Sequence, residues 1–384
     1  MPIDRSPPLP ARFPERRDQT SGLNLVQAAD HNLRVTLEAL RRGGAMTRLE
    51  LAHVTGLTVP GIANILRRLT GEGLIETNSS GRSNRFAIRR GSAVSIGVDL
   101  AGARARLIAT DLAGTPLFAE EAPAAESEPA EATAWIRRAI SRLSATAPGG
   151  RLFGIGVTAG EHAEAIRAAL APYRAIVERD TVAAAISERQ SGIATADDSF
   201  VFILLGAAVR AGMIIGGTVF DGAEHKAGLV GLMRTGRDGR YLDEVAATSR
   251  LPSHDLSDPA VQQWLDDAAE HLTDMIIAMA AFIGPRLIVV GGRLPTLLLE
   301  ALAARLQVLR RSRMIDPTHP FWLPEIRCST LSEQGVAQGI AAIPFLDILL
   351  PDMRRTVLVR QSLSEDRGPA RANASAGPDR PPPA

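Results

Sequence analysis

The hydrophobic pattern of this chain changes once, near residue 92, and that change limits the fold more than any other feature. From Leu33 to about Gly91 the residues read as helices followed by a short hairpin. From Ala93 onward, strands such as 94–100 and 152–158 alternate with helical stretches such as 131–145 and 259–283. Alternation of this kind predicts an α/β architecture with a largely central sheet. Two glycine-bearing strand ends, near Gly102 and at Gly291-Gly292, hint at two related halves. A length of 384 residues allows two to three domains.

The ends of the chain have a different composition. Residues 1–21 form a proline-rich arm carrying Arg5, Arg12, Arg16 and Arg17, and residues 362–384 hold five prolines and no aromatic side chain. Neither can bury enough apolar surface to fold, so both are expected to be disordered. The expected organisation is an arm over 1–21, a small helical domain over 22–92, an α/β domain over 93–361 and a tail over 362–384.

Net charge is +1, but its distribution is uneven: residues 1–95 carry 14 arginines against 8 acids, and the remainder 29 bases against 34 acids. Without the arm, ten arginines still face five acids between Gly22 and Ser95. A basic front on a weakly acidic body suggests a nucleic-acid module, because positive charge releases counterions from phosphate. The longest apolar run, Met275 to Ile283, stops after nine residues, about half of what a bilayer span requires. The first five residues lack the order of a secretory signal, which favours a cytoplasmic protein. A single cysteine, Cys328, excludes an internal disulfide and any multi-cysteine zinc site, and reads as a small buried hydrophobe.

The front contains a sharper signal. Thr47-Arg48-Leu49-Glu50 is a capping box, so a helix starts there, carrying Leu49, Leu51, Ala52 and Val54 and stopping at Gly56. Thr58 is a second N-cap. The helix after it puts Ile62, Ile65, Leu66 and Leu69 on one face and Pro60, Gly61, Asn64, Arg67 and Arg68 on the other. Two short helices joined by a tight glycine turn make a helix-turn-helix, whose second helix enters the major groove. Thr58, Pro60 and Gly61 would allow close approach of the backbone to DNA. Asn64 suits an adenine edge, and Arg67 and Arg68 suit phosphate or guanine. Leu74 to Glu76 and Arg85 to Ile88 alternate like strands around 77–84, a wing whose Arg82 and Arg85 could reach phosphate or the minor groove.

The winged helix running on into Ser95–Gly102 resembles the repressor class of the ROK family, which also includes sugar kinases. The resemblance covers about Gly22 to Pro351, most specifically Thr47–Thr58, Val177–Ala185 and Pro285–Gly292. It implies a winged helix-turn-helix followed by a two-lobed actin-like ATPase domain, and a homodimer or homotetramer on paired half-sites of double-stranded DNA. The family's functional loops are altered here. Where the family's first phosphate loop reads Asp, any residue, Gly, Gly, Thr, this chain has Asp99-Leu100-Ala101-Gly102-Ala103. Ala208 and Arg210 stand at glycine positions of the second loop, and the bulk of Arg210 inside the turn is expected to oppose phosphate.

The resemblance also places an Asn-Asp pair at Arg179-Asp180, with Asp180 at the position of the kinase base, and Val182 where a further asparagine is usual. Leu229 and Leu232 stand at the sugar and zinc ligands of the Glu-x-Gly-His motif, and 236–244 replaces a three-cysteine zinc loop without any cysteine. The stretch that walls the sugar pocket is expected to be one helical run, 161–170. No cofactor and no metal are therefore expected. Thr158, Arg179, Asp180 and His225, with Lys226 nearby, are the candidates for holding a small-molecule effector, and Arg179 and Asp180 also read as a structural ion pair. The expected function is a DNA-binding transcriptional regulator, a repressor, without catalysis. An ATP-dependent sugar kinase with a DNA-binding domain and an effector-free DNA-binding oligomer are the alternatives.

Overall fold

The computed structural model describes residues 25–80, 83–102, 104–123, 128–195, 197–315 and 322–353. The expected arm over 1–21, the tail over 362–384, residues 354–361 and Arg82 lie outside the described residues.

The front unit is built from α1 (Leu25–Gly43), α2 (Arg48–Thr55) and α3 (Val59–Gly71), followed by the hairpin β1 (Ile75–Ser80) and β2 (Ser83–Ile88). Its local signals act as the sequence predicts. Thr47 Oγ1 accepts from the Glu50 N–H, and the Glu50 carboxylate accepts from the Thr47 N–H at 2.7 Å, so the capping box is complete. Gly56 ends α2 with φ 69°, and the chain bends by 111° between α2 and α3, within the range of helix-turn-helix units. Met46 bridges to Phe86 and adds a short third edge to the hairpin, completing a winged-helix arrangement. The pattern of α2 differs from expectation: Leu51 is buried, whereas Leu49 and Val54 are 72% and 58% exposed. An eight-residue helix has room for one inward row, and Leu51 fills it.

The rest folds as two lobes of one topology, as the family resemblance implies and in place of the one central sheet that alternation alone suggests. The first lobe holds β3 (Ala93–Asp99), β4 (Arg104–Asp111), β5 (Pro116–Pro123), α4 (Pro129–Thr146), β6 (Arg151–Thr158), α5 (Ala163–Ala169) and β7 (Ala175–Glu178). Helix α6 (Asp180–Gln190) leads to the second lobe, with β8 (Phe200–Leu205), β9 (Val209–Ile215) and β10 (Thr218–Val219). Then come the small hairpin β11 (Arg234–Thr235) and β12 (Arg240–Tyr241), α7 (Leu242–Ala246), α8 (Pro259–Phe282), β13 (Leu287–Gly292), α9 (Thr296–Met314), β14 (Glu325–Cys328) and α10 (Gly335–Ile348).

Strand order is β5-β4-β3-β6-β7 in the first sheet and β10-β9-β8-β13-β14 in the second. Each is an antiparallel meander extended by two parallel strands. The duplication hinted at by glycines is present, although the equivalence runs differently. The loop at Gly102 after β3 corresponds to that at Gly206 after β8, while Gly291-Gly292 ends β13, the counterpart of β6.

Two helices form the layer between the sheets. The C-terminal α10 returns to the first lobe and lies on β3, β4 and β6, α6 lies on β8 and β9, and the two helices pack along each other. Helix α1 closes the far end of this layer. Arg34 Nη1 donates to the carbonyls of Leu350 at 3.1 Å and Leu346 at 3.4 Å, and Arg41 Nη1 to the last carbonyl of α6, Gln190, at 3.3 Å. Cationic side chains on C-terminal carbonyls satisfy acceptors that a helix leaves open and oppose its dipole. Leu33, Leu37 and Leu40 of α1 belong to the same apolar cluster as Phe200, Ile343 and Leu346, so front unit and lobes share a core.

Candidate functional site

The outward face of α3 is set by the inward one. Ile62, Leu66 and Leu69 are buried, which turns Pro60, Asn64 and Arg67 to solvent. Thr58 caps the helix by accepting from the Gly61 N–H at 3.3 Å, and Gly61 is half-buried. Arg67 Nη1 donates to Asn64 Oδ1 at 3.1 Å, so the two polar side chains of this face lie together. Arg68 lies to one side, with its Nε 3.0 Å from Glu72 and its Nη1 3.6 Å from Asp30. Arg85 is drawn into the frame: it donates to the Ala45 carbonyl at 2.8 Å and pairs with Glu50 at 3.1 Å. Glu50 is held below the usual carboxylate range, first by the Thr47 N–H and then by Arg85.

The cleft between the lobes gathers the other candidates at the ends of β3, β6 and β13 and the start of α6. Thr158 ends β6, is buried, and accepts from the Leu100 N–H at 2.9 Å. Asp180 opens α6, where Oδ1 accepts from the Thr181 N–H at 2.8 Å. Arg179 and Asp180 do not form the expected ion pair, because the turn into α6 sends them apart. Arg179 binds Asp221 and donates to the His225 carbonyl at 3.1 Å, while the His225 ring lies 3.1 Å from the same Asp221. Glu224 and His225 adopt left-handed backbone, φ 52° and 59°, unusual for residues with side chains. Lys226 pairs with Glu224 at 2.5 Å. Leu229 and Leu232 are exposed.

The charged centre of the cleft is a residue that sequence reasoning passed over, Arg293. Gly292, with φ 126°, ends β13 where a Cβ would collide with the Leu205 backbone, and the turn carries Arg293 across the gap. Its fork meets Asp99 at the end of β3: Nη1 lies 2.6 Å from Oδ2 and Nη2 3.3 Å from Oδ1. Nη2 is also 3.6 Å from Asp180. Asp99 is fully buried and the Arg293 side chain is 11% exposed. Burial alone would lower the Arg293 pKa, but Asp99 first, then Asp180 and Glu333, raise it above the usual guanidinium value.

This arrangement decides whether the nucleotide that the fold implies would fit. A Cβ built on Gly102 would stand 3.2 Å from Arg293 Nη1, and one on Gly206 3.7 Å from its Nε, so the guanidinium lies between the loops after β3 and β8, where the family resemblance places phosphate loops. The Val209 N–H of the second loop is taken at 2.6 Å by the Asp243 carboxylate. The cleft residues therefore do not fit a metal–nucleotide. Arg210 is not the obstacle that its position in the sequence suggests. It lies on β9 with its side chain exposed, outside the turn. The segment 236–244, which stands in place of the family's zinc loop, runs through the hairpin β11–β12 into α7, and there Thr235 Oγ1 meets His271 Nδ1 at 2.8 Å and Asp274 accepts from the Gly236 N–H at 2.8 Å. Among the described residues no three His, Cys, Asp or Glu side chains converge as a metal site. The run expected as one helix over 161–170 is helical over Ala163–Ala169.

Two mirrored sheets with a paired-helix layer between them define a two-lobed actin-like ATPase fold, here with a winged helix in front. No family model matches the chain. It is 24% identical over 360 residues to the uncharacterized protein y4fQ of Sinorhizobium fredii (strain NBRC 101917 / NGR234), a match covering 82% of this chain and 90% of that protein. Among solved structures it is similar to a ROK family transcriptional regulator described as a homologue of the E. coli MLC protein. That match has a TM-score of 0.63 at 16% identity and covers 83% of this chain and 96% of that one. It is also similar to a ROK hexokinase from Thermus thermophilus, with TM-score 0.51, 18% identity and coverage of 66% and 99%. A ROK family glucokinase from Streptomyces griseus in complex with glucose and AMPPNP gives 0.52, 19%, 65% and 98%. At these identities the likeness shows the fold. Among the described residues, no single helix is long and apolar enough to cross a membrane.

Proposed function

We propose that this chain is a DNA-binding transcriptional regulator of ROK type, a cytoplasmic repressor acting as a homodimer or homotetramer on paired half-sites of double-stranded DNA. The observation that carries the reading is the capped α2–turn–α3 unit, bent by 111°, with Pro60, Asn64 and Arg67 on its open face. In this reading 22–92 is the DNA-binding domain and 93–361 the effector and oligomerisation domain. Asn64 reads a base edge, Arg67 and Arg68 with Arg82 and Arg85 of the wing hold phosphates, and Thr58, Pro60 and Gly61 let the backbone approach. The lobes act without turnover. Thr158, Arg179, Asp180 and His225 line the place where a small-molecule effector would bind, and Leu229 and Leu232, at the family's polar ligand positions and exposed here, favour one less polar than a free sugar.

Coverage supports this reading over a kinase. The hexokinase is matched over nearly its whole length by 66% of this chain, whereas the regulator takes in 83%. Arg293 between the phosphate loops argues in the same direction. The test is a footprint with purified protein on genomic fragments at moderate salt. Protection of two sites about 34 Å apart, one helical turn, is the expected result. Absence of any specific site, or ADP production that depends on a sugar and is abolished by Asp180→Asn, would overturn it.

A further inference from the structure

The pair Arg293–Asp99 joins the two lobes at the point where they would have to part. Arg293 follows β13 of the second lobe and Asp99 ends β3 of the first, and both are buried with a two-pronged contact at 2.6 and 3.3 Å. Breaking one partner of such a pair leaves an uncompensated buried charge, whereas neutralising both is often tolerated. The same guanidinium approaches Asp180, the first residue of α6, while the last residue of α6, Gln190, is held by Arg41 of α1. Eleven residues of helix span about 16 Å, so one rigid element joins the cleft to the front unit.

We propose that Arg293 is an internal latch, a cation of the chain itself that stands in the phosphate gap, holds the lobes shut through Asp99, and through Asp180, α6 and Arg41 fixes the seat of the winged helix. The cleft is closed by the protein and not by a nucleotide. An effector acts by parting Arg293 from its carboxylates, which frees the start of α6 and loosens the hold on α1. The last step rests on the regulator reading given above; the latch does not.

The test uses the full chain, with the variants Arg293→Gln, Asp99→Asn and the double variant, read by amide exchange and denaturant unfolding. Arg293→Gln is expected to speed exchange at least tenfold in residues 99–102, 180–184 and 186–190, and to leave α8 and α9 unchanged. The double variant is expected to be more stable than the sum of the two single losses by a factor of at least ten in the unfolding constant. If the singles do not fold, recovery of a folded double variant supports the pairing to the same degree. Exchange unchanged in α6, or stability losses that simply add, would overturn the latch. So would binding of magnesium ATP to the wild type at below 1 mM by calorimetry, expected to be undetectable. Operator binding is the separate arm. Arg293→Gln is expected to weaken it at least fivefold, and an unlatched variant with unchanged affinity would refute transmission through α6. A wild type that binds no DNA would sink the regulator reading and, with it, the transmission step, and the exchange data would still decide the latch.

Discussion

Arg67 and Asn64 share the outward face of α3, where Arg67 donates to Asn64 at 3.1 Å. If Arg67 lies on a phosphate, Arg67→Ala should weaken binding at every sequence and reduce the slope of log K against log salt by about 0.9. Titration at several salt concentrations measures this, and an unchanged slope removes Arg67 from the phosphate contacts. Another residue-scale effect concerns stability. Glu188 of α6 is fully buried, accepts from the Ile193 N–H at 3.0 Å and from the Ser329 hydroxyl, and burial pushes its carboxyl above the usual range. Between the unfolded value near 4.5 and its higher folded value, the folded chain keeps a proton that the unfolded chain releases. Stability from this group is therefore lost as pH rises through that window. Glu188→Gln should raise Tm at pH 8 and leave it unchanged near pH 4, whereas a lower Tm at pH 8 would show that the carboxylate is tolerated. Arg293 illustrates what single residues hide. It reads in sequence as a base after a strand, and its partner Asp99 lies 194 positions away. Thr47 and Glu50 were legible because a capping box is local.

Helix α2 depends on its ends. Eight residues are too few to be stable alone, and this helix buries only Leu51. Thr47→Ala removes the acceptor for the Glu50 N–H and loosens the carboxylate that also holds Arg85, so it should cost about 0.5–2 kcal/mol. Denaturant unfolding measures the loss, and no change would mean that tertiary contacts alone hold α2. Both helix starts, the glycine turn and the apolar row of α3 could be read from the sequence because each follows from spacing within one turn. The hairpin was read short. Its strands pair from Ile75 with Ile88 out to Ser80 with Ser83, through the polar stretch Thr77–Ser80. Backbone pairing continues there without the apolar alternation that reveals strands. The exposed Leu49 and Val54 mark the opposite failure, since apolar residues in a short helix do not all point inward.

At the scale of the whole molecule, α/β alternation was visible in the pattern, but the division into two sheets was legible only through the family resemblance, because strand order depends on pairing across the chain. Alternation is the same whether β8 continues the first sheet or begins a second. What joins the lobes to the front unit was also invisible: Leu33, Leu37 and Leu40 read as the face of one helix, and their partners Ile343 and Leu346 lie at the other end of the chain. A shared core predicts one cooperative calorimetric transition for the described body. Arg41→Ala should lower stability by about 1–3 kcal/mol, since it frees the Gln190 carbonyl and leaves Glu38 with Arg42 as its remaining partner. Separate melting of the front unit in the wild type would contradict this.

The seam between α1 and the middle helices also bears on how such a molecule can diversify. A front unit grafted from another protein at residue 92 would arrive with a first helix shaped for a different host. Arg34 and Arg41 would be missing from the carbonyls they cap, and Leu33, Leu37 and Leu40 from the apolar cluster they share with Ile343 and Leu346. If the front unit reads DNA as proposed, new operator preferences are expected to come from changes to α3 and the wing in place, with α1 constrained by α6 and α10.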